Sequence, residues 1–310
     1  MRDASALPAA SLGGLALACL ATAALPAGPR WEAVLALIIL FGVPHGALDG
    51  EVARPWLRPR LGRWWLPVFA APYLLLAALV LVLWRVSPLS TLAGFLALSA
   101  WHFGSEDAGA GRPVEALARG GLPIAVPALA HPAEVADVLA SASGVPLDAP
   151  PVWLAAACWA WLPLAATWAV RAAMERRWPA LAEAGGLLAA FLLLPPLTAF
   201  GLYFVCVHAP RHMAALAADP ARAPRVQGWP AAILRSLPLS LLTYGLGIML
   251  WPLYAGPTPE RLAALTLQGL AALTLPHVIL GWLLDFGMTR QGRVPNRGEP
   301  PGLAGSGGDP

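Results

Sequence analysis

The chain has 310 residues, 58% of them hydrophobic and 12% charged, with a mean hydropathy of +0.64 and a formal net charge of +3. Soluble domains carry charge on roughly a quarter of their residues, so this composition excludes a soluble globular protein. All 20 basic residues are arginines, which excludes chemistry that needs a lysine Schiff base, and their loop positions explain the positive balance without a nucleic-acid partner.

Apolar windows of about 20 residues, enough to cross a hydrocarbon core as a helix, recur along the chain. Breaks at Pro, Gly and Arg clusters divide them into spans near 8–27, 31–49, 64–86, 89–105, 120–140, 151–171, 178–194, 197–218, 230–253 and 262–286. The first has only Arg2 as a positive flank and reads as a retained helix in preference to a cleaved signal peptide. Pro123 and Pro127 interrupt the fifth. Only Pro195 and Pro196 divide the seventh from the eighth, which leaves one long kinked helix as the alternative. The expectation is an all-α polytopic transmembrane bundle of about 8–10 spans, with residues 1–290 as one domain and 291–310 as a disordered cytoplasmic tail rich in Gly and Pro.

Arginine placement orients the bundle, because short cytoplasmic loops hold the excess of positive charge. Arg54, Arg58, Arg60 and Arg63 follow the second span; Arg171, Arg176 and Arg177 the sixth; Arg222 and Arg225 the eighth; Arg290, Arg293 and Arg297 the tenth. Ten spans put all these loops on one side and both termini in the cytoplasm of a multi-pass cell-membrane protein. Cys19, Cys158 and Cys206 stand singly in apolar stretches and read as small core residues.

Ionisable side chains inside spans are costly, which makes them functional candidates. His45, His102, His208, His212 and His277 lie within spans, whereas His131, before Pro132, reads as a helix-end residue. Under the ten-span parity the second, fourth, eighth and tenth spans run the same way and carry these histidines in their second halves, at similar depth. His208 and His212, four residues apart, share a helix face if the helix passes Pro210 without serious distortion. Neutral imidazoles gathered in hydrocarbon bind a transition metal or relay protons. For His277 a packing or outer-partner role is equally open.

Asp49, four residues after His45, and Asp107, five after His102, are placed to accept the second N–H of a ligating imidazole. Glu106 is an alternative partner for His102, although Glu106 and Glu51 read first as solvated acids balancing nearby arginines. Four imidazoles would close a tetrahedral zinc site, whereas iron prefers higher coordination and would keep positions open for oxygenase chemistry.

Pro44-His45-Gly46-Ala47-Leu48-Asp49, His102-Phe103-Gly104 followed by Asp107, Pro195-Pro196-Leu197 leading into Tyr203-Phe204 and His208-Ala209-Pro210-Arg211-His212, and Ala272-Leu273-Thr274 leading into Pro276-His277 resemble motifs of the Brp/Blh family of membrane β-carotene 15,15'-dioxygenases. The resemblance runs from about Phe41 to Leu284. It implies cleavage of the central double bond of β-carotene by O2 to two molecules of retinal at a non-haem iron(II) centre, with His45, His102, His208 and His212 as the iron ligands. His277 falls at a position implied to be an outer partner or part of the substrate pocket. A rhodopsin is the implied recipient of the retinal, and a lysine-free chain agrees with making retinal instead of holding it. Gly50, Pro210 and the long tail depart from the pattern and leave the substrate range open.

A carotenoid dissolved in the bilayer would reach such a site laterally, through apolar walls for which Phe41, Trp101, Phe103, Tyr203, Phe204 and Trp282 are candidates. An upright polyene would centre at the midplane while the parity puts the histidines in the cytoplasmic half, so either the substrate lies oblique or flat or the spans are shifted from these boundaries. The alternative class is a proton-coupled transporter or channel with a metal-free relay through His45, Asp49, His102 and His277.

Overall fold

A computed structural model of the chain describes residues 30–108 and 111–290, and every regular element among them is helical. The predicted span at 8–27, with Cys19, and the tail from Gln291 lie outside the described residues. Helix α1 (Arg30–Leu37) passes through a π-helical segment, Ile38–Gly42, into the short α2 (Val43–Gly46), and α3 (Asp49–Leu61) and α4 (Trp65–Val86) follow. Next come α5 (Pro88–Ala108), α6 (Pro113–Ala130), α7 (Pro132–Ser143), α8 (Val152–Met174) and α9 (Trp178–Leu193). Helix α10 (Pro196–Tyr203) runs through a second π segment, Phe204–His208, into α11 (Ala209–Ala217), before α12 (Gly228–Leu250) and α13 (Thr258–Arg290).

Four described stretches are long and apolar enough to cross a membrane: Trp31–Val86, Val152–Met174, Gly228–Leu253 and Thr258–Leu284. The first holds two of the predicted spans, and a bent pair of helices makes a fifth crossing if counted as one. Helix α5 is 21 residues long but gathers His102, Ser105, Glu106 and Asp107 in its last turns, which lowers its apolarity where the site lies. On the outside, Leu75, Val86, Val152, Met174, Leu193 and Ile248 are between 71% and 85% exposed. Such apolar surface suits lipid and would be a liability in water.

Prolines set the breaks, because the ring lacks an N–H and clashes with the carbonyl four residues back. The predicted span at 120–140 is corrected here: Pro123 and Pro127, expected to interrupt it, lie inside the continuous α6, whereas Pro132 drives His131 out of helical geometry, to φ −131° and ψ 55°, and the chain bends by 115° from α6 to α7. The predicted seventh and eighth spans are separate elements, since Leu194, ahead of Pro195, is extended at φ −107° and ψ 153°. Pro44 and Pro210 act more gently. Each leaves the helix running but cannot bond the carbonyl of Leu40 or Cys206, and both π segments lie just ahead of these prolines. The Tyr244 hydroxyl of α12 donates to the carbonyls of Ile39 and Leu40, each at 3.2 Å, and so supplies a partner that Pro44 cannot.

Two contacts bring the site-bearing helices together. Helices α5 and α6 touch backbone to backbone: a Cβ on Gly104 would overlap the Ala116 carbonyl, and one on Gly120 the Ala100 carbonyl. Where α5, α6, α9 and α11 meet, fully buried Glu183 accepts from Arg119 at 2.7 Å and Arg211 at 2.6 Å. Arg211 also pairs with Asp107, and Arg119 donates to the Asp107 carbonyl at 2.9 Å. Arg177 grips both oxygens of Glu115, at 2.6 and 2.7 Å. Removing one partner of a buried ion pair leaves a charge uncompensated, so Glu183→Ala should destabilise the protein by about 3–5 kcal/mol. Thermal unfolding in detergent measures this, and a loss below about 1 kcal/mol would mean that the pairs are solvated as surface pairs are.

Candidate metal centre

Five imidazoles converge between the helices. His45 comes from α2 and His102 from α5; His208 ends the second π segment, His212 lies on α11 and His277 on α13. Ring centroids lie 5.4 Å apart for His45 and His208, 5.6 Å for His45 and His212, and 5.1 Å for His102 and His208. His277 stands 5.0 Å from His102, 5.2 Å from His212 and 5.8 Å from His45. His45, His102 and His208 are buried.

The rings are pinned from outside through Nδ1. The His45 Nδ1 donates to the Gly42 carbonyl, in the turn that the π segment widens. His212 Nδ1 donates to Glu106 at 2.8 Å, and His277 Nδ1 to both oxygens of Asp49 at 2.8 and 2.9 Å. Glu106 also lies 3.7 Å from His208 Nδ1 and 3.9 Å from His102 Nδ1. A proton fixed on Nδ1 leaves the Nε2 lone pair free for a metal. The Nε2 atoms of His208 and His212 are buried with no hydrogen-bond partner, an arrangement that costs free energy unless something binds there. Donor atoms of His45, His102 and His277 lie within 4.8 Å of one another, as do those of His102, Glu106 and His208, and of Glu106, His212 and His277. Among the described residues these groups fit a transition metal with imidazole and carboxylate donors.

All four histidines expected to be ligands therefore meet, and Pro210 does not separate His208 from His212. The acids are partnered differently from expectation. Asp107 does not support His102; it pairs with Arg211 and sits 3.8 Å from Arg119, while Glu106 faces the rings. The reason is helical phase: position i+4 lies about 40° round from His102, whereas i+5 lies about 140° away. Asp49 does not hold His45, because a turn at Ala47 and Leu48 starts a new helix and swings its carboxylate to His277. The Tyr73 hydroxyl donates to that carboxylate at 2.9 Å. Glu106, read first as a solvated acid, is a structural partner of the cluster, and its four-residue spacing from His102 was the available signal. His131 lies apart, its Nε2 at 3.0 Å from the Leu192 carbonyl.

The predicted walls divide as well. Phe103, Tyr203 and Phe204 are buried, with ring centroids 4.7, 6.2 and 5.6 Å from His208, and Phe204 stacks on that imidazole at 19°. A Cβ on Gly42 would collide with the Phe204 ring, so glycine is what lets this aromatic lie against the first π segment. Trp101 is half-buried, and Phe41 and Trp282 are 51% and 47% exposed. Phe41 and Trp282 thus belong to the apolar exterior and do not close the cluster.

Residues 36–285 match the family model described as Beta-carotene 15,15'-dioxygenase. The chain is 32% identical over 329 residues to the "Probable beta-carotene 15,15'-dioxygenase Blh" of Halobacterium salinarum, covering 90% of this chain and 92% of the relative. It is 27% identical over 264 residues to the "Beta-carotene 15,15'-dioxygenase" of an uncultured marine bacterium, 66A03, covering 81% of this chain and 92% of that protein. No solved structure matches.

The position of Glu106 generates a direct test. Glu106→Ala strips His212 Nδ1 of its acceptor and should cost about 1–3 kcal/mol, the loss typical of a buried donor left unpaired, while Glu106→Gln keeps an acceptor and should cost less. Thermal unfolding of the two purified variants compares them, and equal losses would mean that Glu106 does not hold the ring.

Proposed function

Because the chain belongs to the β-carotene 15,15'-dioxygenase family, we propose that it is a membrane enzyme cleaving the central 15,15' double bond of β-carotene, or a related carotenoid, with O2 to give two molecules of all-trans-retinal. The observation that carries the reading is the meeting of His45, His102, His208 and His212, from distant stretches of chain, in one cluster whose buried Nε2 atoms include two without partners.

Iron(II) is the proposed cofactor, held by these four histidines. The donor set agrees with it: Glu106 and Asp49 bring two carboxylates to the histidine cluster, which suits a divalent cation. When bound, iron supplies the activation that dioxygen needs to react with a polyene at ambient temperature.

The chain's own residues perform the remaining work. Gly42, Glu106 and Asp49 hold His45, His212 and His277 as Nδ1–H tautomers, so the rings need not reorganise during the reaction. Phe103, Tyr203 and Phe204 exclude water beside the cluster and protect reactive species from hydrolysis. The apolar exterior allows lateral access from the bilayer, so a carotenoid need not pass through water. No lysine is present to capture the aldehyde, so retinal leaves free for an acceptor such as a rhodopsin. The protein is proposed to be multi-pass in the cell membrane with both termini cytoplasmic.

Expression in carotene-producing cells, followed by pigment extraction, should show loss of orange carotene and appearance of retinal. His208→Ala should abolish both iron retention and cleavage, with activity down by at least about 100-fold; full activity in that variant would defeat the ligand assignment. Chelation should stop cleavage by the purified protein, with Fe(II) and not Zn(II) restoring it. Undiminished cleavage after complete removal of iron would contradict the cofactor.

A further inference from the structure

Four imidazoles account for the proposed iron ligands, yet a fifth stands among them on the same terms. The His277 ring is 5.0, 5.2 and 5.8 Å from His102, His212 and His45, against 5.1 Å between His102 and His208 and 5.6 Å between His45 and His212. A ring nitrogen of His277 lies within 4.8 Å of donor atoms of His45 and His102 in one group, and a ring nitrogen of His277 lies within 4.8 Å of donor atoms of Glu106 and His212 in another. By position it is a member of the cluster.

Its orientation agrees. A histidine serving as a substrate wall would pack with the aromatic rings beside the cluster, but among the described residues the recorded ring contacts of His277 are with His45, His102 and His212. Nδ1 is taken by both oxygens of Asp49, and this leaves Nε2 as the nitrogen available to a metal. Asp49 is itself 4% exposed and fixed by the Tyr73 hydroxyl at 2.9 Å, which also lies 3.4 Å from the Leu273 carbonyl, one turn before His277 on α13. A buried carboxylate with its own hydrogen-bond donor is the usual outer support of a ligating imidazole and an extravagant one for a packing residue.

We propose that His277 supplies a fifth imidazole to the iron site, with Asp49 and Tyr73 as the positioning residues that hold it there. This rests on the iron reading above. Five nitrogen donors leave a metal fewer open positions than four do. A polyene, which has no lone pair to offer, needs none of them.

Cobalt(II) loaded into the metal-free full-length protein in detergent is the probe, because its visible absorption reports coordination number without any turnover. The expected result is that His277→Ala binds Co(II) more than about 100-fold more weakly, beyond the 10–100-fold loss typical of removing only an outer partner, and shifts the absorption to that of a lower coordination number. Added imidazole should restore the parent spectrum by filling the vacated place. Asp49→Asn should weaken binding by less, about 10–100-fold, while keeping the parent spectrum. If His277→Ala fails to fold, His277→Gln carries the same measurements. A parent protein that binds Co(II) and a variant with the same spectrum and no response to imidazole would overturn the fifth ligand and leave the four-ligand reading standing. A folded parent that binds neither Co(II) nor Fe(II) would overturn both.

Discussion

An imidazole has two nitrogens, and in an apolar interior neither can be left to water. That requirement organises the centre of this molecule. The outward nitrogens of His45, His212 and His277 are satisfied by Gly42, Glu106 and Asp49, and the inward Nε2 atoms of His208 and His212 have no protein partner. Each outward bond decides which nitrogen keeps its lone pair, so the second layer of residues sets the chemistry of the first. The aromatic rings then matter as much as the acids. Phe103 and Phe204 close on His208 edge-on and face-on, so the cost of desolvating the rings is met in folding and not during turnover.

A second polar layer lies directly behind the first. Glu106 faces the histidines while the next residue, Asp107, faces Arg211, and Arg211 itself lies between His208 and His212 on the chain. Two parallel links thus join α5 to α11, one through a ring and one through a guanidinium. Glu183 brings α9 and α6 into the second link through Arg211 and Arg119. Arginine suits this role because its planar fork bonds two carboxylates at once, which a point charge on a flexible stem would do less well. Opposite charges matched in this way, at residues almost wholly buried, hold the helices in one register although the surrounding contacts are mostly non-directional.

Much of this was legible in the chain. Helices near 64–86, 89–105, 151–171, 178–194, 230–253 and 262–286 followed from apolar length and proline punctuation, whereas Asp49–Leu61, in a stretch read as an arginine-rich loop, did not; intramembrane histidines pointed to the site because hydrocarbon makes every polar group expensive. What was not legible depended on angles between elements. The bend at His131 needed the backbone of the residue before Pro132, and the partner of Asp49 needed the turn at Ala47 and Leu48. Glu106 and Asp107 are adjacent in sequence and separated by one step of helical phase, which a count of residues from His102 did not resolve. Arg119 and Glu183 gave no local signal at all: their pairing exists only because α6 and α9 are brought together by the fold.

The two widened turns ahead of Pro44 and Pro210 act as slack in their helices. A π segment accommodates one more residue than an α-helical turn, and each residue of a helix corresponds to about 100° of rotation. Shortening Ile38–Gly42 or Phe204–His208 by a single residue would let the helix relax to ordinary winding. Because the extra residue is taken up within its own turn, such a deletion would leave the flanking helix close to its phase and remove only the widened turn, where the Gly42 carbonyl meets His45 Nδ1 and where His208 stands. Each of these short stretches thus holds one surplus residue, placed beside a histidine and absorbed without redirecting the helix that carries it.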